Sequence, residues 1–251
     1  MNPIFSKTLK ALCIIVVAGV LTACGSGSTV DPFKPTRVIG LGDAHNDMTA
    51  TQHTVRVTTG VRTVVQQVAT LFGVSTVQSS VATGDSTVAH LNAQVSALGQ
   101  LQASDLIVIT SGTADYLAGG SAGATNYLNG LKTALDALKV KGATHILLMQ
   151  VVDKSVAIDN DLVSFNSIVS AGLSQYTDVA RLTNIDRPAA LFPNWATNTN
   201  TPYCGPGSTG GCAVSGNDPE LYFLADSVYP TPAGNRWIAQ YMYNVTARGW
   251  R

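Results

Sequence analysis

The chain has 251 residues, 45% hydrophobic, 12% charged and 7% aromatic, with Lys+Arg 15 against Asp+Glu 15. That length suits one large domain or two small ones, and the apolar fraction excludes general disorder, collagen, a coiled coil and a multi-span membrane protein. Phosphate binding needs clustered positive charge, so a balanced chain without a basic stripe also excludes a nucleic-acid partner.

The N-terminus reads as an address rather than as fold. Lys7 and Lys10 give a positive start, and Ala11 to Val20 is an apolar run too short to span a bilayer as a stable helix. Leu21-Thr22-Ala23-Cys24 follows and resembles a bacterial lipobox, which is cut before its cysteine. The resemblance implies a signal peptide over 1–23, a lipidated Cys24 opening a flexible tether over 24–35, and a domain over 36–251. Several acyl chains together anchor a protein firmly to a lipid bilayer, where one alone is marginal. Gly25 stands where an aspartate usually retains such proteins at the inner membrane, so the resemblance implies the outer membrane of a bacterial envelope. Loss of Lys7 and Lys10 leaves the remainder slightly acidic.

Strands and helices then alternate. Arg37 to Gly42 is a short buried strand ending in glycine. Val61, Val64, Val65, Val68, Leu71 and Phe72 fall at helical spacing, and 91–101 reads as a second helix. The apolar run 105–110 is a central parallel strand. Leu128, Leu131, Leu135 and Leu138 share one face of a helix over 127–140, followed by a strand at 145–152, a helix at 162–173 and a strand at 178–182. A Pro/Gly/Asn-rich loop over 186–221 precedes a last helix at 232–247, with Pro232 at its start. This alternation predicts a three-layer α/β/α fold, flavodoxin-like, with a mostly parallel central sheet. Sites in such folds form at the carboxyl ends of the strands.

Four cysteines are too few for a disulfide scaffold. Cys13 leaves with the signal and Cys24 carries lipid. Cys204 and Cys212 remain, close together in the long loop, and an oxidising export compartment predicts a local disulfide between them. The competing reading, a metal pair, needs further Cys or His ligands; no histidine occurs after His145. No metal and no cofactor is expected.

Three blocks stand at the strand ends: Gly42-Asp43-Ala44-His45-Asn46-Asp47, Ser111-Gly112-Thr113-Ala114-Asp115-Tyr116, and Asp226-Ser227-Val228-Tyr229-Pro230-Thr231 before the last helix. Their order and spacing resemble the SGNH (GDSL) hydrolases, in particular the secreted esterase and phospholipase branch, over nearly the whole domain. In that branch a small disulfide loop also precedes the last block, where Cys204 and Cys212 sit. The family's first block is Gly-Asp-Ser, its second carries an oxyanion glycine, its third is Gly-x-Asn-Asp and its last is Asp-x-x-His-Pro. The resemblance implies an ester hydrolase fold. It places the nucleophile position at Ala44, the oxyanion asparagine at Ala114 and the base at Tyr229. Asp43, Gly112, Asp115, Asp226 and Pro230 are retained, and Gly84 is the best match to the oxyanion glycine.

The losses have direct chemical meaning. Ala44 has no lone pair with which to attack a carbonyl, a neutral Tyr229 phenol does not take a proton near neutral pH, and Ala114 offers no donor to an oxyanion. Three such changes together point to decayed catalysis. His45, Asp47, Gly112 and Asp115 remain as binding candidates. The leading expectation is therefore a non-catalytic binding protein of the cell envelope, taking an acyl ester, a lipid, an acylated glycan or another envelope protein. One alternative is an active ester hydrolase with relocated residues, built on His45 with Ser111 or Thr113. Another is a purely structural lipoprotein whose former pocket is filled by Tyr229.

Overall fold

In the computed structural model the described residues are 33–47, 63–79, 86–153, 158–185, 223–224 and 230–250, the side chains of 247–249 excepted. Among these residues the unit from Lys34 to Trp250 has five strands, β1 (Arg37–Gly42), β2 (Val77–Ser79), β3 (Asp105–Thr110), β4 (Ile146–Met149) and β5 (Ala180–Thr183). They form one sheet in the order β2-β1-β3-β4-β5 with every pairing parallel. The helices are α1 (Val64–Leu71), α2 (Val88–Ala97), α3 (Thr113–Gly119), α4 (Ala124–Val140), α5 (Asn160–Gly172) and α6 (Pro232–Gly249).

Alternation along the strands sends side chains to both faces, and both faces are buried. Ile39, Leu41, Ile107, Ile109, Ile146 and Leu148 join Leu91 and Val95 of α2, Leu131, Leu135 and Leu138 of α4, and Phe165 of α5 in one core. On the other face Val38, Leu106, Val108 and Leu147 are equally buried. There α1 packs against β1 and α6, and α6 reaches β4 and β5. Gly40 admits α1 closely, since a Cβ there would stand 2.9 Å from a Val65 methyl. The register of β1 on β3 is pinned at its start, where Arg37 faces Asp105 and donates Nε to Oδ1 at 3.0 Å and a terminal nitrogen to Oδ2 at 2.5 Å.

The helix expected over 61–72 starts at Val64 because Thr63 caps it. The Thr63 hydroxyl accepts from Gln66 N–H, and the Gln66 side chain accepts from Thr63 N–H. The helix expected at 91–101 lies a turn earlier, at 88–97, and the one expected at 127–140 gains a turn at its start. The strand expected at 145–152 is confined to the four residues that pair, 146–149. The strand at 178–182 shifts to 180–183. Two elements had no sequence signal: the three-residue edge strand β2, and α3, which is flanked by Gly112, in the left-handed region, and by Gly120. Thr231 caps α6 by accepting from Gly234 N–H at 3.2 Å, and Pro232 takes the first helical position. The loop 186–221, Cys24, Cys204 and Cys212 lie outside the described residues.

At the amino end of the sheet His145 sits edge-on to Trp250, ring centroids 4.9 Å apart, with its Nδ1 3.1 Å from the Ala103 carbonyl. Burial lowers its pKa from the ordinary 6.5; the Ala103 hydrogen bond opposes this and the Arg181 charge adds to it. The unfolded chain therefore binds a proton here more readily than the folded one. The stability this neutral ring contributes is full above about pH 6.5 and is lost as pH falls through the lower, folded value. Urea midpoints should fall more between pH 7.5 and 5 for the wild type than for His145→Gln; equal falls would show that His145 plays no part.

Candidate functional site

The strand ends gather around the turn that follows β1. Gly42 has φ 109°, and a Cβ on it would lie 1.6 Å from the Thr110 carbonyl oxygen, so the chain reaches this turn only through glycine. The next residue returns to the neighbouring strand, with Asp43 N–H donating to that same Thr110 oxygen at 2.7 Å. Residues Ala44–Asn46 then form one turn of 3-10 helix, with Asp43 as its cap.

Buried side chains fix this turn from three sides. Gln94 of α2 clamps Gly42, accepting from its N–H at 2.6 Å and donating to its carbonyl at 2.9 Å. Asn46, fully buried, donates to the carbonyls of Leu41 and Val108 at 2.9 and 3.0 Å and accepts from Val65 N–H at 3.0 Å. It thus joins β1, β3 and the first turn of α1. Asp43, also fully buried, accepts from the backbone N–H of His45 at 3.2 Å, and the same oxygen lies 2.7 Å from His45 Nδ1. Gln94 and Asn46 carry no signal in the sequence: a glutamine 52 residues from its partner and an asparagine inside a polar run look like surface residues.

His45 is itself 4% exposed and lines a small cleft with Thr113, Val151, Val152, Phe223, Pro230 and Ile238. The cleft thus draws on the ends of β1, β3 and β4 and on the residues before α6. Of the expected site residues it brings together His45, Thr113 and Pro230. Ala44 is fully buried in the turn beside it. Ser111 goes elsewhere: it lines an internal gap with Tyr127 and Phe165, its carbonyl accepts from the Tyr127 hydroxyl at 3.1 Å, and its buried Oγ has no hydrogen-bond partner among the described residues. A Ser111–His45 pair in one cleft is therefore not what the fold builds. Gly112 has φ 103°, and a Cβ there would stand 2.9 Å from the Tyr127 ring, which makes it a packing glycine at the start of α3.

Asp115, a binding candidate from sequence, turns to the start of α2, where its carboxylate accepts from Val88 N–H at 3.1 and 3.3 Å. Burial raises its pKa, the Val88 hydrogen bond opposes this, and the Asp43 charge adds to the rise. Its work is that of a helix cap. Asp47, 2% exposed, ends the 3-10 turn with its N–H donating to the Ala44 carbonyl, and it is not among the residues lining the cleft. Asp153, after β4, accepts from Asp159 N–H and so helps seat the start of α5. Asp159 in turn accepts from the Tyr116 hydroxyl at 2.6 Å. Among the described residues no three His, Cys, Asp or Glu side chains are grouped to hold a metal ion. Gly84, Asp226 and Tyr229 lie outside the described residues.

No protein-family profile matches the sequence, and no curated protein is similar to it in sequence. Solved structures are similar to it in fold. An acetylxylan esterase from Geobacillus stearothermophilus superposes with a TM-score of 0.55 at 15% identity, covering 88% of this chain and 98% of its own. A member of the lipolytic G-D-S-L family from Veillonella parvula gives 0.53 at 14%, covering 84% and 98%. The psychrotrophic esterase EstA from a Pseudoalteromonas species gives 0.52 at 12%, covering 85% and 97%. The chain thus has the three-layer fold of the GDSL, or SGNH, esterases, with a central sheet that is wholly parallel among the described residues.

Proposed function

We propose that this chain is a lipid-anchored protein of the bacterial envelope whose SGNH-type domain binds a ligand and does not cleave it. One observation carries the reading. Ala44, where the motif resemblance puts the GDSL serine, sits in the turn after β1, and the Asp43, Asn46 and Gln94 hydrogen bonds hold that turn. A methyl group at that point forms no acyl-enzyme. Ala114 and Tyr229 remove an oxyanion donor and the base, and removal of such groups leaves only residual catalysis. The ligand is an acyl ester, a lipid, an acylated glycan or an envelope protein, reached from a tether on Cys24 at the outer membrane.

The purified wild-type chain should hydrolyse p-nitrophenyl acetate and butyrate no faster than blank, and a fluorophosphonate probe should leave it unlabelled. Turnover well above blank sinks the reading. The Asp43–His45 contact at 2.7 Å, with Thr113 in the same cleft, favours one second reading, a displaced hydrolase. In that case His45→Ala abolishes the turnover while Ala44→Ser changes little.

A further inference from the structure

We infer that the amino end of the sheet is the face this chain lays on the anionic bilayer holding its anchor, so that the strand ends around Ala44 lie on the side away from that membrane. The inference rests on the lipid-anchor reading above and assigns the surface that meets the lipid. The chain enters the domain at this end. Lys34 is exposed, and Thr36 docks on the residues before β3, its N–H donating to the Ser104 carbonyl at 3.0 Å and its hydroxyl to Ser104 Oγ at 2.9 Å. The neighbouring strand starts are tied to it. Thr144, before β4, donates to the Ala103 carbonyl at 3.1 Å, and Leu101 N–H donates to the Lys141 carbonyl at 2.8 Å. Trp250 meets His145 edge-on and has the Arg181 guanidinium 5.8 Å from its ring. Lys139 reaches Asp178, before β5, at 3.0 Å.

The two ends of the sheet differ in charge. Among the described residues at the strand starts, Lys34, Arg37, Lys139, Lys141 and Arg181 stand against Asp105 and Asp178, with Asp136 a turn back along α4. Arg37 pairs with Asp105 and Lys139 with Asp178, and positive charge remains in surplus. Val140, 85% exposed, stands in sequence between two lysines. An apolar tip flanked by ammonium groups suits the headgroup boundary, where the tip meets acyl carbons and the charges meet phosphate. At the other end the described residues 43–47, 111–123, 150–153 and 158–161 carry Asp43, Asp47, Asp115, Asp153, Asp159 and Asp161 and no Lys or Arg. An anionic surface therefore attracts the first end and repels the second. The tether acts in the same direction. A flexible chain over 24–35 spans about 20 Å, close to the radius of gyration of about 17 Å for a domain of this size, so it keeps the amino end nearest the lipid.

The full chain, expressed with its signal, purified in detergent and added to preformed phosphatidylcholine vesicles with or without about 30% phosphatidylglycerol, tests this. A fluorescent amino acid replaces either Gln102, exposed before β3, or Leu117, 63% exposed on α3 at the other end. Energy transfer to a headgroup-labelled lipid reads which end lies nearer the bilayer. In the anionic vesicles transfer from position 102 should exceed that from 117 about twofold or more. That excess should drop by about half or more without phosphatidylglycerol, in about 1 M NaCl, where the Debye length is about 3 Å, and in the double variant Lys34→Glu, Lys139→Glu. Lys34→Arg with Lys139→Arg should keep it. Equal transfer, or more from 117, overturns the inference and leaves the anchor standing. An excess indifferent to lipid charge, to salt or to the Glu variant shows that the tether alone sets the pose, and overturns it too. Mass spectrometry of the same preparation reads Cys24: an unlipidated cysteine overturns the anchor reading and, with it, the inference.

Discussion

On the proposed binding reading, the triple substitution Ala44→Ser, Ala114→Asn, Tyr229→His is expected to raise p-nitrophenyl acetate hydrolysis about a thousandfold or more over the wild type. The magnitude follows from how such groups act: nucleophile and base work as one unit, so each single reversion should stay near background while the set does not. An oxyanion donor alone is worth about 2.7–4 kcal/mol of barrier, but only when there is an oxyanion to stabilise. The turn itself needs no rebuilding. Asp43 N–H is tied to Thr110, Gly42 to Gln94 and Asn46 to both neighbouring strands, and none of these bonds uses the side chain at position 44. Initial rates on folded protein decide the matter. A well-folded triple variant no faster than wild type means that the retained frame is out of catalytic register.

Asn46→Leu should cost about 2–4 kcal/mol of unfolding free energy although both side chains branch at Cγ. Leucine fills the space but leaves Val65 N–H without its acceptor inside the protein and strips two strand carbonyls of a donor. An unpaired buried polar group carries its full desolvation penalty, which is larger than the net worth of the bond it lost. Asn46→Asp should do no better. It keeps an acceptor for Val65 but sets carboxylate oxygen against the Leu41 and Val108 carbonyls. Urea unfolding reads both, and a midpoint within error of wild type for Asn46→Leu would show that the three bonds do not hold the turn.

Much of the architecture is legible in the sequence because burial leaves a period. The α4 leucines and the unbroken apolar run of β3 need no structure to be recognised. The three-residue β2 is too short to show one, and α3 is seven residues bounded by glycines. Its place is set by contacts instead: Tyr116 meets the Phe165 ring edge-on at 5.6 Å and donates to Asp159. The site divides in the same way. Ala44 and His45 are readable because the motif around them is contiguous. That Asp43 backs His45, that Asp115 belongs to a helix starting 27 residues earlier, and that Ser111 faces the interior depend on side-chain directions, which neighbouring letters do not encode.

The hydrogen bonds of Asn46 and Gln94 also bear on how such chains drift. Both residues hold the turn after the first strand through bonds that do not involve the side chain at position 44. Selection for a protein that merely folds would preserve them, together with Gly42 and Asp43, long after a reaction had been abandoned. Descendants of a silenced lineage should keep the outline of the motif while its reactive letter wanders, and a genome survey keyed to that outline would gather living and extinct enzymes alike.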